Sequence, residues 1–277
     1  MAPDPDKTTT DLPPLAEIAK WGDLNARLLS SAGMVVVGTA AVIAGGVWFQ
    51  MLAVFAASVM IWELWQMIEP KSHVRGMLLA ALAASVFSGF LTVERAWFVV
   101  FLPVVPLLGL AMISRERLTW AFFSTTILVA GWGLVMFRGD YGFTWILWLI
   151  LVVIATDVAG YFVGKAIGGP KFWPRISPKK TWSGTVGGWI AAGLVGALFW
   201  GLTNAGPWVI PLSMCLSFAG QMGDIAESAL KRRMGVKDSS HLIPGHGGLF
   251  DRFDALLGAS LFMLFVVAAF DVPGLAF

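Results

Sequence analysis

About nine stretches of roughly 20 apolar residues run through this chain, and that is the length an α-helix needs to cross the hydrocarbon of a bilayer. They fall near residues 29–47, 49–68, 76–93, 96–113, 118–137, 143–164, 184–204, 206–230 and 250–272. In lipid, every backbone N–H and C=O must find its partner within the segment, so such stretches fold as helices. The 277 residues therefore read as an all-α chain, a polytopic integral membrane helical bundle. With 57% hydrophobic and 13% charged residues it lies far from soluble chains, of which about a quarter is charged. Gly45-Gly46 leaves almost no loop between the first two segments, which also read as one broken span. Segment eight turns polar at its C-terminal end, as a helix does when it projects beyond the membrane core.

Three regions follow: a polar cytoplasmic tail over 1–28, N-terminal membrane helices over 29–137, and C-terminal helices over 138–277 that carry the charged motifs. The first residues lack the basic, apolar and small-residue succession of a cleaved signal peptide, so the tail is expected to stay on the aqueous side. With that end inside, only Arg95 and Arg138 among the 19 lysines and arginines fall on the far side. The positive-inside rule then places the polar loops 165–183 and 231–249 on the cytoplasmic face of the plasma (inner) membrane, with the C-terminus opposite. A net charge of +2 gives no reason to expect a nucleic-acid partner, and Cys215, the single cysteine, excludes an internal disulfide.

The region from Asp224 to Asp254 mixes carboxylates, cations, histidine and glycine in a chain that is otherwise apolar. Ionisable groups at bilayer depth are costly and mark working sites. On a helix, Asp224, Glu227, Ser228 and Lys231 share one stripe, while Asp251 and Asp254 lie one turn apart with Arg252 between them. Clustered carboxylates persist ionised when a divalent cation offsets them, and Mg²⁺ is typically held by one or two carboxylates plus substrate phosphates. The alternative is an intramembrane salt-bridge network of Asp224 and Glu227 with Lys231 and Arg232. His246-Gly247-Gly248 precedes the last helix, where free N–H groups and the helix dipole favour an anion. Lys231, Arg232 and Lys237 flank it.

An earlier loop has companion features. Asp157 lies near the end of segment six, and Ser177, Lys179 and Lys180 stand before a Gly-rich helix entry at Gly184 to Gly188. Adjacent lysines beside hydroxyls suit a polyphosphate. A plain basic loop is the simpler reading of those residues alone. A transporter could use Asp157 and Asp224 as a proton relay, but the inverted halves of such proteins are not visible in the sequence. A lipid-binding structural protein would have basic loops and little use for the clustered acids.

From Ser228 to Asp254 the chain reads S-x-x-K-R, four residues, K-D, then P-x-H-G-G-x-x-D-R-x-D. This pattern resembles the phosphatidate cytidylyltransferases, or CDP-diacylglycerol synthases. Gly223 to Ser228, Asp157 to Gly164, and Ser177-Pro-Lys179-Lys180-Thr-Trp are similar to the same family, as are Arg27 and Glu63-Leu-Trp65 nearer the N-terminus. Ser183 departs from it, standing where a Glu or Gln would be expected. The resemblance implies transfer of CMP from CTP to phosphatidic acid, giving CDP-diacylglycerol and pyrophosphate with Mg²⁺ as cofactor. It places Asp224 and Asp251 on the metal, supported by Glu227 and Asp254. Lys231, Lys237, Arg232, Arg252, Ser177, Lys179 and Lys180 would hold phosphates, with Asp157, Ser228, Gly247 and Gly248 lining the substrate site. His246 would orient a phosphate or shuttle a proton. A second cation such as K⁺ and a homodimeric assembly are left open, as is a related transferase acting on another lipid phosphate.

Overall fold

The computed structural model describes residues 15–92 and 100–270, with side chains from residue 27 onward except at 90 and 92. Most of the expected tail, Arg95, the start of segment four and the C-terminal end at Phe277 lie outside the described residues. The helices are α1 (Leu15–Ala44), α2 (Gly46–Ile68), α3 (His73–Thr92), α4 (Val104–Met112), α5 (Arg117–Ile167), α6 (Trp182–Leu202), α7 (Val209–Met234) and α8 (Phe250–Ala269). Between α5 and α6 a hairpin of β1 (Lys171–Trp173) and β2 (Ser177–Thr181) pairs antiparallel. Among the described residues, six helices are long and apolar enough to cross a membrane, and α3 contributes a shorter apolar run over His73–Gly89. The chain is an all-α polytopic membrane protein, with one small hairpin that the loop reading of 165–183 did not anticipate.

Expected segments five and six form one element of 51 residues, broken at Gly142 with φ 80 and ψ −173. Only glycine enters that backbone region freely. A straight helix of that length would span about 76 Å. Yet Glu116, just before α5, pairs with Arg233 at the end of α7, while Asp157, late in α5, faces the same end of α7 at Asp224. Leu134 and Leu149 also line one small cavity. The two halves of α5 thus fold back on each other at Gly142. The first two helices do the same at Gly45, where φ is 63: Ser30 of α1 and Glu63 of α2 both reach the loop that precedes α8. They are therefore two helices and not one broken span.

One end of the bundle gathers the loops that carry charge. Gly45 and Arg138 mark the other end, where Arg138 donates to the Val42 carbonyl at 3.2 Å. Next to the charged end, Ile61, Leu64, Trp65, Phe87, Trp120 and Phe250 form a buried core. A second core joins α5 to α6, α7 and α8 through Trp145, Trp148, Val152, Ala192, Leu216 and Met263. In lipid such contacts stabilise by close packing and interhelical hydrogen bonds, since the surroundings are equally apolar. A polar stripe on α7 supplies those bonds. Ser213 accepts from Trp148, Ser217 from Thr156 and Gln221 from Trp189, and the stripe ends at Asp224. Small residues let the helices approach. A Cβ at Gly223 would meet the Asp254 carbonyl and Gly258, which seats the start of α8 directly against α7.

Candidate active site

Two different environments meet at the charged end. The first is a polar cavity of about 550 Å³ between the second half of α5, the hairpin, α6 and α7. Asp157, Lys165, Lys171, Lys179, Lys180 and Asp224 line it, with Gly164, Gly168 and Gly169 at its wall. Thr181 caps α6 by accepting from the Gly184 N–H at 3.2 Å, which aims the N-terminus of α6 and the adjacent lysines at this space. Ser183, the residue that departs from the family pattern, donates to the Gly168 carbonyl at 2.5 Å and so ties the glycine turn to the helix entry. Lys180 pairs with Asp224, and both side chains remain 27% exposed. Ser228 donates to the other oxygen of Asp224 at 3.2 Å. Ser177 begins β2 opposite Trp173, outside the cavity lining.

The second environment is the buried seat of the α7–α8 loop. Lys231 bridges Glu227 at 2.5 Å and Asp251 at 2.6 Å. Asp251 also accepts from the Ser239 N–H and hydroxyl, each at 2.9 Å, and from the Gly248 N–H at 2.8 Å. The Gly248 N–H is thus engaged by Asp251, and the first N–H groups of α8 go to a carboxylate that the sequence motifs did not single out as part of the site. Leu249 and Phe250 donate to Glu63 of α2 at 2.8 and 2.7 Å. The anion expected at that helix start is a side chain of the protein itself. His246 is similarly occupied: its ring nitrogens contact the Ser30 and Ser31 hydroxyls, each at 2.9 Å. Arg252 donates to the His246 carbonyl at 2.9 Å, Arg232 to the Val236 carbonyl at 3.4 Å, and Lys237 stands exposed on the loop.

The single stripe expected on α7 divides between these environments. Asp224 faces the polar cavity, whereas Glu227, 1% exposed, lines an apolar cavity of about 820 Å³ with Asp254, between α5, α7 and α8. The expected salt-bridge alternative is realised for Glu227 with Lys231 and not for Asp224, whose cation is Lys180 from β2. Asp157 and Asp254 still feel the charge of Asp224, so the acids form one electrostatic group across α7. That group is rich in hard oxygen donors. Glu227 Oε1 is buried without a hydrogen-bond partner, an arrangement a cation would satisfy. Among the described residues no three His, Cys, Asp or Glu side chains form a ready-made metal shell. Such a donor set suits an ion that takes much of its coordination from water and phosphate.

A family model described as the cytidylyltransferase family matches residues 25–270. A protein of Brucella suis biovar 1 named phosphatidate cytidylyltransferase is 49% identical over 151 residues, which cover 52% of this chain and 56% of that protein. One of the same name from Bacillus subtilis is 44% identical over 136 residues, 48% of this chain and 50% of its own. Another from Staphylococcus haemolyticus is 40% identical over 160 residues, covering 54% and 61%. The chain spans about half the length of the curated relatives it matches.

Proposed function

The chain belongs to the cytidylyltransferase family, and from that premise we propose that it transfers CMP from CTP to phosphatidic acid, yielding CDP-diacylglycerol and pyrophosphate. The observation that carries the reading is the polar cavity. Lys165, Lys171, Lys179 and Lys180 surround a space large enough for a nucleotide, beside Asp224 and at the end of membrane-spanning helices. A triphosphate needs cations, and lysines supply point charges to its oxygens. The apolar cavity on the other side of α7 offers acyl chains a place next to the same acids.

In this reading an oxygen of the lipid phosphate attacks the α-phosphorus of CTP. The new P–O bond forms as the bond to the β-phosphate oxygen breaks, and pyrophosphate leaves. No enzyme nucleophile is required, so the residues act by positioning and by offsetting charge. Lys179 and Lys180 hold the triphosphate, and Lys180 exchanges Asp224 for phosphate as the nucleotide enters. Arg252 and Lys237 stand on the loop side to meet the lipid phosphate. Asp224 would hold Mg²⁺ at the polar cavity together with water and phosphate, with Glu227 and Asp254 adding negative charge from the other side of α7 and Asp251 joining if Lys231 yields an oxygen. That ion would neutralise phosphate charge and help align the reacting groups. The site faces the cytoplasm of the plasma membrane, where CTP is dissolved. Cysteines placed at 175 and 238 should accordingly react only with reagent added on that side.

The test is purified protein in detergent with Mg²⁺, labelled CTP and a panel of lipid phosphates. Label should enter phosphatidic acid in preference to polyprenyl phosphate, and ATP should not replace CTP. Preferential labelling of another lipid phosphate would reassign the acceptor. Equal use of ATP would remove the cytidylyl assignment.

A further inference from the structure

Glu63 lies within an apolar membrane-spanning helix, is 0% exposed, and is held by hydroxyls and backbone N–H groups. Burying a carboxylate is costly unless donors surround it. Here they do, and all four come from residues 239–250, the segment that leads into the first residue of α8. Oε1 accepts from the Ser240 hydroxyl at 2.6 Å and the Leu249 N–H at 2.8 Å; Oε2 accepts from the Phe250 N–H at 2.7 Å and the Ser239 hydroxyl at 3.3 Å. The seat is tight as well as polar, because a Cβ at Gly248 would collide with both the Ser239 hydroxyl and the Glu63 carboxylate.

The bonds continue into the charged centre. Ser239 donates its N–H to Asp251 at 2.9 Å while its single hydroxyl proton lies between Asp251 at 2.9 Å and Glu63 at 3.3 Å, Asp251 accepts from Lys231, and Lys231 pairs with Glu227. A helix end could be capped by any local Ser, Thr or Asp. A carboxylate from α2 instead fixes the start of α8 relative to the N-terminal half of the chain. We infer that Glu63 is a positioning residue that sets the register of the 239–250 segment, and through Ser239 the placement of Asp251 and Lys231, for the transfer reaction proposed above. The N-terminal half thereby takes part in building the site that the C-terminal motifs carry.

The test compares wild type with Glu63→Gln and Ser240→Ala in detergent, reading kcat, KM for CTP, and hydrogen exchange at the Leu249 and Phe250 amides. Gln keeps the size and one acceptor but sets an NH₂ group against a backbone N–H. In Glu63→Gln, kcat should fall about tenfold or more while KM for CTP changes by less than about threefold, as expected when alignment and not binding is lost. Exchange at the two amides should rise by about tenfold, with the middle of α7 unchanged. Ser240→Ala, which removes one bond of the set, should give a smaller change in the same direction. Unaltered kcat and exchange in Glu63→Gln would overturn the inference. So would lower thermal stability with an unaltered kcat, which would make the role structural alone. If Glu63→Gln does not fold, wild-type kcat and exchange in Ser240→Ala would overturn it instead. The exchange measurement needs no substrate, so it separates failure of this inference from failure of the proposed reaction.

Discussion

The polar cavity and the seat of the α7–α8 loop contain the same kinds of side chain and use them in opposite ways. In the cavity, Lys180 and Asp224 are paired yet 27% exposed, and Lys179 faces open space. In the seat, Glu63, Glu227, Asp251 and Lys231 are buried or nearly so, and their partners come from within the protein. An exposed ion pair is worth little and exchanges readily for a ligand. A buried one costs heavily when a partner is removed. The contrast assigns nucleotide binding to the cavity, whereas in the seat most of the carboxylate oxygens hold the loop in place and only those left over, such as Glu227 Oε1, remain for the ion proposed above.

Asp224→Asn is expected to have the largest effect on turnover. Losing one charge from the acid group should lower kcat on the order of a hundredfold or more even at high Mg²⁺, while thermal stability stays near wild type. Normal activity in a folded Asp224→Asn protein would remove it from the site and break the comparison. Asp251→Asn should differ in kind. It strips Lys231 and the Ser239 and Gly248 donors of a buried charge, so denaturation in detergent should reveal a loss of roughly 3 kcal/mol along with activity. Unchanged stability would show that the seat is not a scaffold.

Gly223→Ala should cost about 1–3 kcal/mol, because its methyl would press on the Asp254 carbonyl. Lys179→Ala probes the cavity alone. It should raise KM for CTP about tenfold, one lost phosphate contact, with stability within about 0.5 kcal/mol of wild type. The smallest effect lies at Glu116, where hydrogen bonds from Thr119 and Arg233 hold the carboxyl below its ordinary value of 4.5. A depressed carboxyl stabilises above its unfolded pKa, and that contribution is lost as pH falls through the lower folded value. The gap in Tm between wild type and Arg233→Ala should therefore be small at neutral pH and vanish in acid. A gap that widens on acidification would contradict the assignment.

The spans were legible because lipid enforces one backbone solution on an apolar stretch: α2, α6 and α8 lie where hydropathy places them. The fold-back at Gly142 was legible as well, since Arg138-Gly-Asp-Tyr-Gly142 interrupts the apolar run between expected segments five and six; what the sequence did not show is that the turn itself stays so tight that helix resumes directly at Gly142. The three residues of β1 are too few to show alternation, and their pairing depends on β2 across a short turn. In the site, Asp157, Asp224, Lys179 and Lys180 were found together because ionisable groups stand out in an apolar chain. The division of Asp224 from Glu227 was not legible, since helical spacing puts both on one stripe and the neighbouring helices decide which space each enters. Nor was the role of Glu63, whose donors lie between 176 and 187 residues further along the chain. His246 read as a residue that orients a phosphate or shuttles a proton, and its serine partners on α1 are equally remote in sequence.

The most direct test of the transfer reaction is a single incubation with phosphatidic acid, Mg²⁺ and CTP carrying distinct labels on its α- and γ-phosphates. Direct attack at the α-phosphorus predicts α-label in CDP-diacylglycerol, γ-label in an equal amount of pyrophosphate, and none on the protein. Release of CDP with γ-label in the lipid, or α-label retained covalently on the protein, would contradict it.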